Sequence, residues 1–201
     1  MNIEKNVNLA IFASGSGTNA ENIIKYFKDH GYIRVIRVYC NNPQAYVINR
    51  VKPYEIPVTL FGKEDFVENG LVHQKLKEEL IDYIILAGFL WKIPDFLIQQ
   101  FSGRILNIHP ALLPKYGGKG MYGERVHQAV LAAGEMESGI SIHRVDEAYD
   151  HGEIVFQFKC PVLLEDTPET LANRIHKLEY EYYPKIIEEV IVSDGKRQTT
   201  L

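Results

Sequence analysis

Apolar residues in the first half of the chain fall in short runs separated by stretches with helical spacing. Residues 8–12 form a brief apolar run, and residues 20–30 repeat apolar side chains at three- and four-residue intervals. Residues 33–39 read as a second strand, 45–51 as a short helix and 56–60 as a third strand. A helical period covers 64–79, residues 83–86 form a compact apolar strand, 96–100 are helical and 104–108 are strand-like. A strand buried on both sides has no polar face to show. This alternation therefore predicts an α/β fold whose mainly parallel sheet carries helices on both faces.

The second half has a different texture. Residues 126–133 form a helical segment entered from the glycine-rich stretch 117–123, residues 140–145 alternate apolar and polar, and 154–164 are extended. Asp166-Thr167-Pro168-Glu169 is a helix start, with proline at the first turn and acids where the helix dipole favours them. The long C-terminal helix it opens is expected to reach about Val192 and to pack across the sheet. No repeat, linker or low-complexity tract interrupts the chain, which reads as one domain over 1–201. Within it, a half of about 1–103 and a half of about 104–201 carry different motifs.

At 201 residues the chain can bury a full core without staples. A net charge of −4 argues against nucleic acid or an anionic membrane as a broad partner. Cys40 and Cys160 lie far apart without metal-type spacing and read as reduced core residues. Neither a leader pattern nor a bilayer-length apolar run is present, so the expectation is a cytoplasmic protein acting on small molecules, as a monomer or a homodimer.

Three features can carry chemistry. Ser14-Gly15-Ser16-Gly17-Thr18-Asn19 joins a strand to a helix, where glycines admit a ligand to the backbone and helix-start N–H groups favour an anion. It lacks the Gly-Lys-Ser/Thr of a Walker loop, and Ala20 stands at the third glycine of a dinucleotide fingerprint. A plain tight turn is the alternative. Leu106-Asn107-Ile108-His109-Pro110 ends a predicted strand, and a period of two puts Asn107 and His109 on one side. The pair offers an amide donor for an oxyanion and an imidazole for proton transfer, or simply a capped histidine before proline. The acidic turn 146–152 is either a solvated loop or the source of a carboxylate, Asp150, for His109. His127 and His143 rank below His109 as ordinary surface or core residues. The seven histidines show no metal-ligand spacing, so no metal is expected.

Taken in order, the strings IFASGSGTN (11–19), LAGF (86–89), LNIHPALLPKY (106–116) and DEAYDHG (146–152) resemble the phosphoribosylglycinamide formyltransferase family, the folate-dependent enzymes of purine synthesis. The resemblance spans nearly the whole chain and implies a Rossmann-like formyltransferase fold. It implies an Asn107, His109 and Asp150 constellation, with the Asn107 amide and a protonated His109 stabilising the oxyanion that develops as the amine attacks. It also implies that Asp150 raises the pKa of His109. Substrate phosphate and ribose would be held by Gly17, Thr18, Asn19, Ala20, Glu21 and, from the last helix, Glu179. The 10-formyltetrahydrofolate co-substrate would lie against Leu90, Trp91, Lys92, Ile93, Asn107, Asp146 and Asp150, with Lys63 near its tail. Two departures stand out. The stretch 117–123 is longer than in many relatives, where Lys119 can add a phosphate contact, and Trp91 replaces a basic residue.

Competing readings are a 10-formyltetrahydrofolate hydrolase, another formyltransferase and a non-catalytic nucleotide-binding module. The hydrolases carry an N-terminal regulatory domain, whereas Asn8 already begins the catalytic-domain strand. A nucleotide module would gain nothing from Asn107, His109 and Asp150 together.

Overall fold

The runs without a polar side become inner strands. In the computed structural model, which describes residues 6–198, β1 (Val7–Ala13) lies parallel to β4 (Tyr83–Leu86), and all of β4 is buried. β2 (Ile33–Cys40) pairs in parallel with β1 and, on its other edge, with β3 (Val58–Leu60). With β5 (Ile105–His109), β6 (Glu137–Arg144) and β7 (Ile154–Pro161) the sheet has seven strands in the order β3-β2-β1-β4-β5-β6-β7 and is mainly parallel. The chain groups into two compact units that divide between Leu106 and Asn107.

In the first unit, α1 (Thr18–Phe27) buries Ala20, Ile23, Ile24 and Phe27, one stripe of its surface. It is followed by α2 (Val47–Arg50), a 3₁₀ turn (Lys52–Tyr54), α3 (Leu71–Glu78) and α4 (Asp95–Gln100). The chain steps outward from β1 to β2 to β3, then returns to β4 on the opposite side of β1. Strand order thus reverses between β1 and β4. The carboxyl ends of such a pair form the crevice where open α/β sheets place ligands.

The helix expected over 64–79 is shorter, beginning only at Leu71. Asn69 adopts a left-handed φ of 61°, and Asp65 is held in a turn by its carboxylate accepting from Gly62 N–H at 2.9 Å. Phe66 packs its ring against Phe12, Phe61 and Phe89. Burial of that ring and the Asn69-Gly70 turn override the helical period.

In the second unit, α5 (Glu124–Ala132) precedes β6, which pairs antiparallel with β7. Their register slips between Ile142 and His143, leaving Val155 as the extra residue of a β-bulge beside His143. α6 (Pro168–Gln198) starts as its capping residues demand, with Thr170 N–H donating to Thr167 Oγ1 at 3.2 Å. It continues past the expected end at Val192, because Arg144 donates two hydrogen bonds to Asp194, at 2.9 and 3.1 Å. Among the described residues no helix is long and apolar enough to cross a membrane. Cys40 and Cys160 are buried free thiols.

Candidate active site

The glycine turn after β1 is built from backbone outward. Gly17 has φ 75°, a left-handed conformation that side chains resist, and it caps α1 with no side chain of its own. The first-turn N–H groups therefore face out of the helix start, as an anion requires. The turn is clamped on several sides. Val47 N–H donates to Gly15 O at 3.1 Å, Arg50 Nε to Ser16 O at 2.7 Å, and Ser14 Oγ both donates to Asn41 and accepts from Leu90 N–H. That last bond joins the loops after β1 and β4.

The other expected binding residues of this unit differ in what they can offer. Thr18 and Asn19 are half-buried at the helix start. Ala20 is fully buried, so its side chain is not available to a ligand. The Glu21 carboxylate is engaged by Arg50 at 2.9 Å, Lys25 at 2.9 Å and the Tyr54 hydroxyl at 2.8 Å. Hydrogen bonds from Lys25 and Arg50 hold its pKa down at about 2. Its side chain thus braces the loop. Lys63, Leu90 and Lys92 are exposed and Ile93 is buried. Trp91 is half-buried at the edge of an aromatic cluster with Phe61, Phe66 and Phe89.

Within the second unit the structure brings Asn107, His109 and Asp150 together. Asn107 and His109 share one side of β5, as period two requires. Asp150 arrives from the loop between β6 and β7 with a left-handed φ of 54°, a conformation non-glycine residues adopt at an energetic cost. It is fixed there by Gly118 N–H donating to Oδ2 at 3.0 Å and by Asn107 Nδ2 donating to Oδ1 at 3.3 Å. His109 Nδ1 faces Asp150 Oδ2 at 3.6 Å. His109 Nε2 lies 2.7 Å from the Tyr116 carbonyl. A carbonyl only accepts, so Nε2 carries the hydrogen and Nδ1 is the nitrogen left for chemistry.

His143, expected to be an ordinary surface or core residue, is buried beside Asn107 and Asp150. Its Nε2 is 3.0 Å from Asn107 Nδ2 and 3.6 Å from Asp150 Oδ1, and its Nδ1 is 3.0 Å from the Arg144 carbonyl. The carbonyl requires a proton on Nδ1, so Nε2 accepts from the Asn107 amide. His143 is 1% exposed, the core alternative of that expectation. The bulge beside it is invisible in a single sequence.

Asp150 pulls the His109 pKa up, as expected, but the net shift is downward. Burial lowers it, outweighing the opposing pull of Asp150 and the Tyr116 carbonyl. Burial also pushes the Asp150 pKa up, but His143, His109 and the Gly118 N–H together hold it below the ordinary value. The resting pair is thus a carboxylate beside a neutral imidazole. Elsewhere in this unit, Asp146 spends its carboxylate on its own loop, accepting from Ala148 N–H at 2.9 Å and approaching His151 Nδ1 at 3.2 Å. Glu179 is a carboxylate on α6 that is only 6% exposed.

Comparison with known proteins decides the family. Residues 7–187 match the family model described as formyl transferase. The phosphoribosylglycinamide formyltransferase of Bacillus subtilis is 36% identical over 187 residues, covering 90% of this chain and 93% of that protein. The chain belongs to the phosphoribosylglycinamide formyltransferase family. A chloroplastic member from Vigna unguiculata is 41% identical over 90% of this chain, which spans only 59% of that longer protein. The crystal structure of the Bacillus halodurans member superposes with a TM-score of 0.82 at 37% identity, covering 92% of this chain and 95% of the other. Members of this family use a folate-derived formyl donor.

Proposed function

We propose that this chain transfers the formyl group of 10-formyltetrahydrofolate to the amine of N1-(5-phospho-D-ribosyl)glycinamide, a step of de novo purine biosynthesis. The observation that carries the reading is a neutral His109 whose Nδ1 faces Asp150 at 3.6 Å beside the Asn107 amide, in a chain of this family. The folate supplies the one-carbon unit, bonded to nitrogen.

His109 Nδ1 takes the proton from the amine as it bonds to the formyl carbon. The imidazolium formed faces the Asp150 carboxylate, and the proton passes on to the folate nitrogen as its bond to carbon breaks. Asn107 aims one amide hydrogen at His143 and the other at Asp150. The latter, at the longer 3.3 Å, is the one to turn toward oxygen as negative charge develops there. Gly17, Thr18, Asn19 and Ala20 take the phosphate through N–H groups, the Glu21 N–H donating instead to Gly17 O at 2.9 Å, and Glu179 takes the ribose hydroxyls. Lys63, Leu90, Trp91, Lys92, Ile93 and Asp146 serve the folate. The substrates are small molecules, the net charge of −4 favours no nucleic acid, and the reading places the enzyme in the cytoplasm as a monomer or homodimer.

Incubating the protein with the ribonucleotide and 10-formyltetrahydrofolate, while following tetrahydrofolate release, tests this. Release that requires the ribonucleotide supports it. Release without the ribonucleotide would mark a hydrolase, and ligand binding without release a nucleotide-binding module.

A further inference from the structure

The Tyr116 carbonyl that engages His109 is set by a residue far from the reacting atoms. Tyr116 itself has a left-handed φ of 59°, which a tyrosine does not adopt unless its surroundings impose it. Its hydroxyl donates to Glu135 Oε1 at 2.9 Å, and Lys115 Nζ reaches the same oxygen at 2.7 Å. Glu135 lies in the turn between α5 and β6 and is half-buried. Two residues on, Gly118 N–H holds Asp150, and a Cβ on Gly117 would stand 2.6 Å from Leu113 Cδ2 and 3.2 Å from Asp150 Cβ. One short turn thus grips the imidazole with a carbonyl and the carboxylate with an N–H. The side chain at its head is tied to Glu135.

We infer that Glu135 is a positioning residue for His109. By holding the Tyr116 hydroxyl it keeps the left-handed backbone in place, which fixes the proton on Nε2 and leaves Nδ1 as the working nitrogen. The catalytic part of this inference rests on the formyl-transfer reading; the tautomer part does not. The Lys115 contact lies on a side chain 65% exposed and contributes little.

Two readouts separate the inference from the reading. The first is the ¹⁵N NMR shifts of the His109 ring in wild type, Tyr116→Phe and Glu135→Gln. Wild type shows the hydrogen on Nε2 above the imidazole titration, and both variants show a mixture of tautomers. The Nδ1–H form in wild type, or unchanged shifts in both variants, overturns the inference whether or not the enzyme turns over. The second is steady-state kinetics. One lost hydrogen bond corresponds to a fall in kcat of about threefold to tenfold. Each variant should show this fall with KM unchanged and a displaced pH profile, the double variant should be no slower than Tyr116→Phe alone, and Lys115→Ala should match wild type. Wild-type kcat and pH profile in both Tyr116→Phe and Glu135→Gln would contradict it. Absence of turnover in wild type would count against the formyl-transfer reading alone.

Discussion

Replacing Gly17 by alanine imposes two separate costs, and two other glycines isolate them. The first is conformational: at φ 75° a Cβ crowds its own backbone, worth about 1 kcal/mol. The second is steric, because that Cβ would lie 2.7 Å from the Cα of Val47, where α2 clamps the loop. Relieving such overpacking costs typically about 1–3 kcal/mol, so Gly17→Ala should destabilise the protein by about 2–4 kcal/mol. Gly88 has φ 72° but nothing within 4 Å of its Cβ position, so Gly88→Ala should cost only about 1 kcal/mol. Gly15 has neither constraint, and Gly15→Ala should leave stability unchanged or raise it by about 0.5 kcal/mol. Urea unfolding at pH 7 measures all three through their midpoints at constant slope. Equilibrium binding of the ribonucleotide to folded Gly17→Ala should also weaken if the turn holds the phosphate as proposed, since its N–H groups shift with the loop. A Gly17→Ala protein within about 0.5 kcal/mol of Gly15→Ala would refute the account of this turn.

Three further outcomes concern charge. His127 is 2% exposed, its Nδ1 has no hydrogen-bond partner among the described residues, and burial, helped by His176 and His109, lowers its pKa to about 4. The unfolded chain then binds a proton that the folded one refuses, so stability falls as pH drops from 6.5 toward 4, by about 3 kcal/mol in full. His127→Gln should lose that part of the slope in urea titrations across the range, and an unchanged slope would reject it. Glu21, held at about 2 by Lys25 and Arg50, stabilises the fold above its unfolded value of 4.5. Glu21→Gln should therefore be less stable than wild type at pH 7, by about 1 kcal/mol after allowance for solvent screening. The gap should close as pH falls toward 2, and a constant gap in acid unfolding would contradict the pairing. Asp150→Asn removes the larger of the two influences, the other being the Tyr116 carbonyl, that favour the imidazolium. It should slow turnover and move the acid limb of kcat to lower pH, and an unmoved limb would take Asp150 out of the proton path.

Much of this arrangement is legible without coordinates, for identifiable reasons. β4 can be read directly because strands inside a parallel sheet are apolar runs, and β2 from its β-branched residues despite Arg34 and Arg37. Asn107 and His109 can be placed on one side because strand periodicity is local. Asp150 lies 41 residues beyond His109 in the numbering, and only family resemblance joins them. The helix predicted over 64–79 is too long because periodicity counts Phe66 as helical, while its ring goes to an aromatic cluster and the Asn69-Gly70 turn breaks the segment. The contacts of His143 with Asn107 and Asp150 are not legible because a buried histidine on a strand looks like any core residue. The Tyr116 carbonyl is a backbone group with no sequence signature, and the lowered His109 pKa follows from burial, which residue order does not record.

The most direct measurement of the central claim compares His109→Ala with wild type in two assays, kcat for formyl transfer and the Kd of the ribonucleotide. If the imidazole moves the proton as proposed, its loss should lower kcat by about 100-fold to 10,000-fold, while the Kd, assigned by the proposal to the glycine turn and Glu179, stays within about threefold. A variant that turns over at close to the wild-type rate would show that the imidazole beside Asp150 does not move the proton.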